Sequence, residues 1–160
     1  MNTPLGRVRV RRATTAAEVI DLRHAILRAG LPRETAIFPG DERPEAIHVV
    51  AEAPGGRIVG CVTLHPSTWQ DRAAWQLRGM ATDPAVRGTG IGRAMLEFVE
   101  QLVRSESHVL QLWCNARVPA AGFYQHAGWI IESEQFEIPS AGPHVRMSKQ
   151  LGGEATNRFL

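Results

Sequence analysis

In "RVRVRR" (residues 7–12) arginines alternate with Val8 and Val10, the period of a half-buried strand. The period then changes. Val19, Ile20, Leu22, Ile26 and Leu27 recur at helical spacing, and Thr15 followed by Glu18 has the form of a capping box opening that helix. Prolines and glycines dominate residues 30–45, which reads as a long loop with room for a short helical piece. Two apolar runs, "IHVVAE" and "RIVGCVTLH", flank "APGG" and predict a hairpin. "WQLRGMA" (75–81) is a further strand, and Gly79 inside it signals a bulge or the close approach of a ligand. From about Gly92, one helical face carries Met95, Leu96, Val99, Leu102 and Val103. "HVLQLWCN" (108–115) predicts the next strand, and "PAAGFYQHAG" a short helix capped by Gly128. "WIIES", "EQFEI" and "HVRMSKQ" end the pattern as short strands. This order predicts an α/β fold with mixed strand direction, since consecutive hairpins argue against a purely parallel sheet.

Composition narrows the class without deciding it. The chain has 160 residues, 44% hydrophobic and 21% charged, as expected of one globular domain with a real core. A net charge of +2 argues against a surface built for nucleic acid, and strand alternation accounts for the arginines at 7, 9, 11 and 12. No apolar run approaches the ~20 residues of a membrane span, and no signal-peptide core is present. Cys61 and Cys114, the only two cysteines, lack metal-ligand spacing and read as small core residues, so no metal is expected. A cytoplasmic enzyme or binding domain is the expectation.

The chemistry begins at "VRGTGIGRAMLEF". Gly88, Gly90 and Gly92 stand directly ahead of an amphipathic helix, where exposed amides and the helix dipole suit an anion, commonly a phosphate. A Walker loop is excluded, because Gly88 and Gly92 are too close together and no lysine follows. A Rossmann fingerprint is excluded too: its third glycine would fall on Arg93 or Met95. What remains is Arg87-x-x-Gly90-x-Gly92 on a strand–loop–helix.

Together with "GMATDPAVRG" before it and "LWCNARVPAAGFYQHAGW" after it, this motif resembles the acetyl-CoA pyrophosphate loop of the GNAT N-acetyltransferase superfamily. The resemblance spans roughly residues 7 to 151. It implies a mixed, mostly antiparallel central sheet flanked by helices in one domain (7–151), with residues 1–6 an N-terminal extension and 152–160 a flexible tail. It further implies that the amides of Arg87, Gly88, Thr89, Gly90, Ile91, Gly92 and Arg93 hold the pyrophosphate, with Arg87 and Arg93 adding charge. The backbone of Met80 and Ala81 would pair with the pantetheine arm as an added strand, and the thioester would enter a gap opened by a bulge near Gly79. Asn115 resembles the residue that hydrogen-bonds this arm, and Phe123 packs beside CoA or in the core.

Acetyl transfer from a thioester to an amine needs a proton acceptor, donors for the oxyanion and a proton for the departing thiolate. Tyr124, the sole tyrosine, falls where the family places its general acid, and the Met80 N–H is the natural oxyanion donor. The base is open. "WQLRGMA" has no acid; His48 and Glu52, an even number apart on one strand, are candidates, and His65, Glu137, His144 or a water chain are others. The expected activity is direct acetyl transfer, in a ternary complex, to a primary amine on a small molecule or exposed peptide. A non-catalytic acyl-CoA sensor is the alternative, an interaction module with an incidental glycine turn a third reading, and a homodimer is allowed. Acceptor choice is expected from residues 30–45 and 132–144, with Asp41 and Glu42 placed to attract a cation.

Overall fold

A computed structural model describes residues 1–152, so the expected tail lies outside the described residues apart from Gly152. The elements are β1 (Asn2–Thr3), β2 (Gly6–Arg7), β3 (Arg9–Arg12), α1 (Ile20–Leu27), β4 (Ile47–Glu52), β5 (Ile58–Trp69), β6 (Arg72–Thr82), α2 (Ile91–Glu106), β7 (Gln111–Arg117), α3 (Ala121–His126), β8 (Ile130–Ile131), β9 (Phe136–Ile138) and β10 (Gly142–Gln150). Short 3₁₀ turns at Ala16–Val19, Arg33–Ala36, Pro84–Val86 and Val118–Ala120 punctuate them. The strands order as β3-β4-β5-β6-β7-β10-β8, with β9 on β10, and β1 and β2 pair separately. This is the mixed α/β architecture expected. The described residues cluster into two compact units, Met1–His65 with Arg78–Gln101, and Pro66–Leu77 with the chain from Leu102 onward.

In the first unit, β3, β4 and β5 pair antiparallel, with Arg11 opposite Val50 and Val49 opposite Val62. Val19, Ile20, Leu22 and Ala36 pack with Val50, Cys61 and Ala81 into a core. Gly60 on β5 is required by this packing, because a Cβ there would stand 2.7 Å from the Met95 sulfur on α2. The capping box forms by half. Thr15 makes no side-chain cap bond, while the Glu18 carboxylate accepts the Thr14 N–H and is drawn to Arg11. The expected N-terminal extension is folded: β1 and β2 make a hairpin, tied by the Val8 N–H to the Met1 carbonyl at 2.7 Å.

In the second unit β7 runs parallel to β6 from Trp75–Leu112 to Leu77–Cys114, and antiparallel to β10 along its whole length. α3 ends at Gly128 (φ +92), whose N–H reaches the Gln125 carbonyl, as its cap position predicts. Two boundaries differ from expectation. β5 and β6 are longer than their apolar runs and join through Gln70 and Asp71, both at positive φ (51° and 65°), the signature of a tight hairpin turn. Leu102 is only half-buried, whereas Ile91, Met95, Leu96, Val99 and Val103 form the covered face of α2.

Candidate active site

Strand β6 ends into a turn whose geometry is set by Asp83. Its carboxylate accepts the Ala85 N–H at 2.9 Å and an Arg57 N–H at 2.6 Å, while its own N–H is held by the Val59 carbonyl. The amide bond to Ala85, then Arg57, holds this carboxyl below its ordinary range. The chain then passes Gly88 (φ +77) and Gly90 (φ +89), two left-handed positions that L side chains resist, before α2 begins with Ala94 N–H bonding the Gly90 carbonyl. A Cβ at Gly88 would meet nothing within 4 Å, and at Gly90 only the Met1 side chain, from 3.5 Å. The loop is an open cradle at a helix N-terminus.

Its amides are not equivalent. Those of Arg87 and Thr89 are turned inward to the Pro84 and Val86 carbonyls, so the anion-facing set expected over residues 87–93 is smaller than the motif alone suggests. The Thr89 hydroxyl is also committed, to Val86. Arg93 is exposed and paired with Glu97 one turn on, and Arg87 is exposed. Upstream, Gly79 adopts φ +62 inside β6, with Met80 and Ala81 following it.

Asn115, Phe123 and Tyr124 belong to the second unit. Asn115 sits on β7 opposite Arg146, and its Oδ1 is buried with no hydrogen-bond partner among the described residues. A buried acceptor left open in this way has room for one more hydrogen-bond donor. Tyr124 is buried, with its ring edge-on to Trp129 at 5.3 Å and to half-buried Phe123 at 5.2 Å. Burial pushes its phenol well above the usual value, with nearby Cys114 adding to the shift, so it keeps its proton at neutral pH.

A family model described as an acetyltransferase (GNAT) domain matches residues 44–131, which take in the glycine cradle, Asn115 and Tyr124. The chain belongs to the GNAT acetyltransferase family. It is 30% identical over 137 residues to an uncharacterized N-acetyltransferase of Bacillus subtilis, YitI, covering 84% of this chain and 91% of the relative. A shorter stretch of 57 residues is 42% identical to an amino-acid acetyltransferase of Mycobacterium tuberculosis, covering 34% of this chain and 31% of that protein. The crystal structure of an aminoglycoside 6'-N-acetyltransferase complexed with coenzyme A superposes with a TM-score of 0.70 at 14% identity, over 89% of this chain and 97% of that one. The protein is thus an acyltransferase enzyme.

For this GNAT acetyltransferase the structure assigns the two base candidates to other work. His48 and Glu52 do not meet: the β4–β5 register slips between Ala51 and Glu52, and each has its own partners. The His48 Nε2–H donates to the Asp41 carbonyl at 2.9 Å, and its Nδ1 accepts the Thr63 hydroxyl at 2.8 Å, because that hydroxyl already accepts from Arg23. Burial lowers the His48 pKa, so the ring is neutral with both nitrogens engaged. Glu52 is an ionised partner of Arg11 (2.8 Å) and Arg9 (3.6 Å), held below its ordinary range first by the Arg11 hydrogen bond. Both His48 nitrogens are therefore engaged, and Glu52 is tied through its Oε2 to two arginines. The cysteines are buried thiols pushed up to about 12 by burial, which leaves no thiolate for a covalent acetyl-enzyme.

The residues that sequence reasoning missed lie beneath residues 30–45. Arg23, fully buried on α1, donates to Asp41 at 2.7 Å, to the Ala36 carbonyl at 2.7 Å and to Thr63 at 2.9 Å. Asp41 also accepts from His65 Nε2 at 2.9 Å and from the Phe38 N–H at 2.8 Å. Burial would raise this carboxyl, but the His65 and Arg23 bonds win and hold it well below the usual range. Asp41 is therefore not available to attract a cationic acceptor. The sequence carried one clue: Arg23 falls on the apolar face of α1, among Val19, Ile20, Ile26 and Leu27.

Proposed function

We propose that the protein transfers an acetyl group from acetyl-CoA to a primary amine by direct attack in a ternary complex. The observation that carries this reading is the open cradle of Gly88 and Gly90 at the start of α2, in a chain of this family. Amides of Gly88, Gly90, Ile91, Gly92 and Arg93 hold the pyrophosphate, with the Arg87 and Arg93 side chains adding charge at the rim. Asn115 Oδ1 accepts an N–H of the pantetheine arm, Phe123 packs beside it, and the Met80–Ala81 backbone pairs with it. The amine nitrogen attacks the thioester carbonyl, the Met80 N–H receives the oxyanion, the C–S bond breaks and Tyr124 gives its proton to the thiolate. The amine proton leaves to water, the route that needs neither His48, engaged at both nitrogens, nor Glu52, paired with Arg11. One relative is named for amino acids and one structural neighbour for an aminoglycoside; an amine acceptor is what these share.

Acetyl-CoA titration during thermal unfolding tests the reading. Ligand at a hundredfold excess over Kd stabilises a folded protein by about 2.7 kcal/mol. No shift at millimolar acetyl-CoA would remove the proposal, and so would an unchanged shift in Gly90→Val, whose β-branched side chain at φ +89 fills the cradle. A shift without thiol release against any amine would favour the non-catalytic acyl-CoA sensor instead.

A further inference from the structure

Three guanidiniums surround one aromatic ring in the first unit. Arg23 lies 3.9 Å from the Phe38 centroid, Arg78 4.3 Å and Arg28 5.3 Å. Asp41 is the carboxylate buried with them, and it is already saturated by Arg23, His65 and the Phe38 N–H. Arg28 also donates to the Leu27 carbonyl. Arg78 differs from both. Its guanidinium is half-buried on the ring face and makes no hydrogen bond or ion pair to a protein group among the described residues. Burial, reinforced by Arg23, lowers its pKa, yet a guanidinium stays charged at any working pH. Asp41 opposes that shift from a distance, but a cation half-removed from water without a hydrogen-bonded counter-charge is incomplete, because desolvated charge needs a counter-charge with hydrogen bonds.

We propose that Arg78 binds the carboxylate of the acceptor, so that the substrates are amines bearing a carboxylate, amino acids foremost. This rests on the acetyltransferase reading and deepens it by naming the acceptor class. The planar fork of one guanidinium matches a planar carboxylate through two parallel hydrogen bonds. Arg28 adds positive charge over the same ring, which favours a second anion in a region whose own carboxylate is spoken for. Position supports the assignment as well. Arg78 immediately precedes Gly79, Met80 and Ala81, the backbone assigned above to the thioester, so an acceptor pinned by its carboxylate brings its amine to that segment. Phe38 belongs to residues 30–45, the stretch expected to choose the acceptor, and it holds the guanidinium in place. Arg23 takes no part in binding: it is fully buried, and its Nε is walled off by Gly79, where even a Cβ would stand 2.6 Å away.

The test uses matched pairs, each L-amino acid against its C-terminal amide, with thiol release as the assay and acetyl-CoA thermal shift as a separate readout. The wild type is expected to show KM at least tenfold lower for acids than for amides. Arg78→Gln should raise KM for the acids by roughly 10–100-fold, the scale of losing a charged hydrogen-bonded pair, and leave the amides nearly unchanged. The acetyl-CoA shift should be the same in both proteins. Arg78→Lys keeps the charge and should retain part of the preference, which serves equally if the Gln variant does not fold. The proposal is overturned by indifference to the carboxylate in the wild type, by a preference that survives Arg78→Gln, by equal KM increases for acids and amides, or by failure to acetylate any amino acid. Loss of the acetyl-CoA shift in the wild type would instead remove the cofactor reading on which the inference stands.

Discussion

Asp41→Asn is the substitution whose consequence the structure determines most fully. The side chain keeps its size but loses its charge, and one oxygen becomes an NH2 group. Every partner of Asp41 is a donor: two Arg23 nitrogens, the Phe38 amide and the His65 ring. A new donor therefore faces an old one whichever way the amide is turned. Arg23, with its side chain fully buried, keeps its charge without its counter-ion. Breaking a buried pair from one side costs about 3–5 kcal/mol, a large share of the ~5–15 kcal/mol that holds a domain together. For a chain of this size the melting temperature should fall by roughly 6–20 °C.

Two further readouts separate this mechanism from simple loss of packing. The double variant Arg23→Met/Asp41→Asn no longer strands a charge, so its destabilisation should be smaller than the sum of the singles by about 1–3 kcal/mol. The pH dependence has a definite sign. Because the folded-state pKa of Asp41 is depressed, its stabilisation is fully present above the unfolded value near ~4 and is lost as pH falls toward the folded one. The gap between wild type and Asp41→Asn should be level from pH 5 to 8 and narrow below about pH 4. Chemical denaturation across that range measures it. A variant within 1 kcal/mol of wild type at pH 7, or a gap that widens in acid, would refute the reasoning.

Tyr124→Phe retains the ring that packs on Trp129 and Phe123, so folding and acetyl-CoA binding should persist while kcat falls by roughly 10²–10⁴ against an active acceptor; an unchanged kcat with chemistry rate-limiting would take the acid role away. Gly79→Ala places a Cβ 2.6 Å from Arg23 Nε and 3.2 Å from Phe38 at φ +62, and should destabilise by about 2–5 kcal/mol; a variant as stable as wild type would show that β6 is not held in this conformation. Cys61 and Cys114, buried with thiols at about 12, should resist iodoacetamide at pH 8 in the native protein and react once unfolded, as intact-mass measurement would show.

What could be read from the sequence was local in sequence. The glycine cradle, its helix, the β4–β5 hairpin and the Gly128 cap each lie within a few residues of the signal that announces them, and so each could be placed without knowing the fold. The β5–β6 turn escaped because Gln70 and Asp71 hold positive φ without glycine, and the apolar alternation fades on both sides of them. Arg11, seven residues upstream, also binds the Glu18 carboxylate and draws it to about 2 in pKa, a tertiary contact that the capping pattern does not announce.

The burial of Asp41 was not legible in the sequence for a more general reason. Asp41 and Glu42 stand in a proline- and glycine-rich loop, and side chains in such a loop are normally solvated, so the sequence alone reads both charges as exposed. Burial removes Asp41 from that account, while Glu42 stays exposed. Arg23, on the apolar face of α1, cannot reach water and must find a carboxylate; Asp41, eighteen residues away, supplies it. Once that pair is formed, Asp41 is tied up by Arg23, and Arg78 and Arg28 stand over the Phe38 ring, with no carboxylate bonded to Arg78 among the described residues. The inference from an acidic loop to a cationic acceptor thus becomes one from an unmatched guanidinium to an anionic group. An arginine found at a core position in any amphipathic helix raises the same question. The nearest loop carboxylate should be assigned to it before that carboxylate is counted toward a ligand.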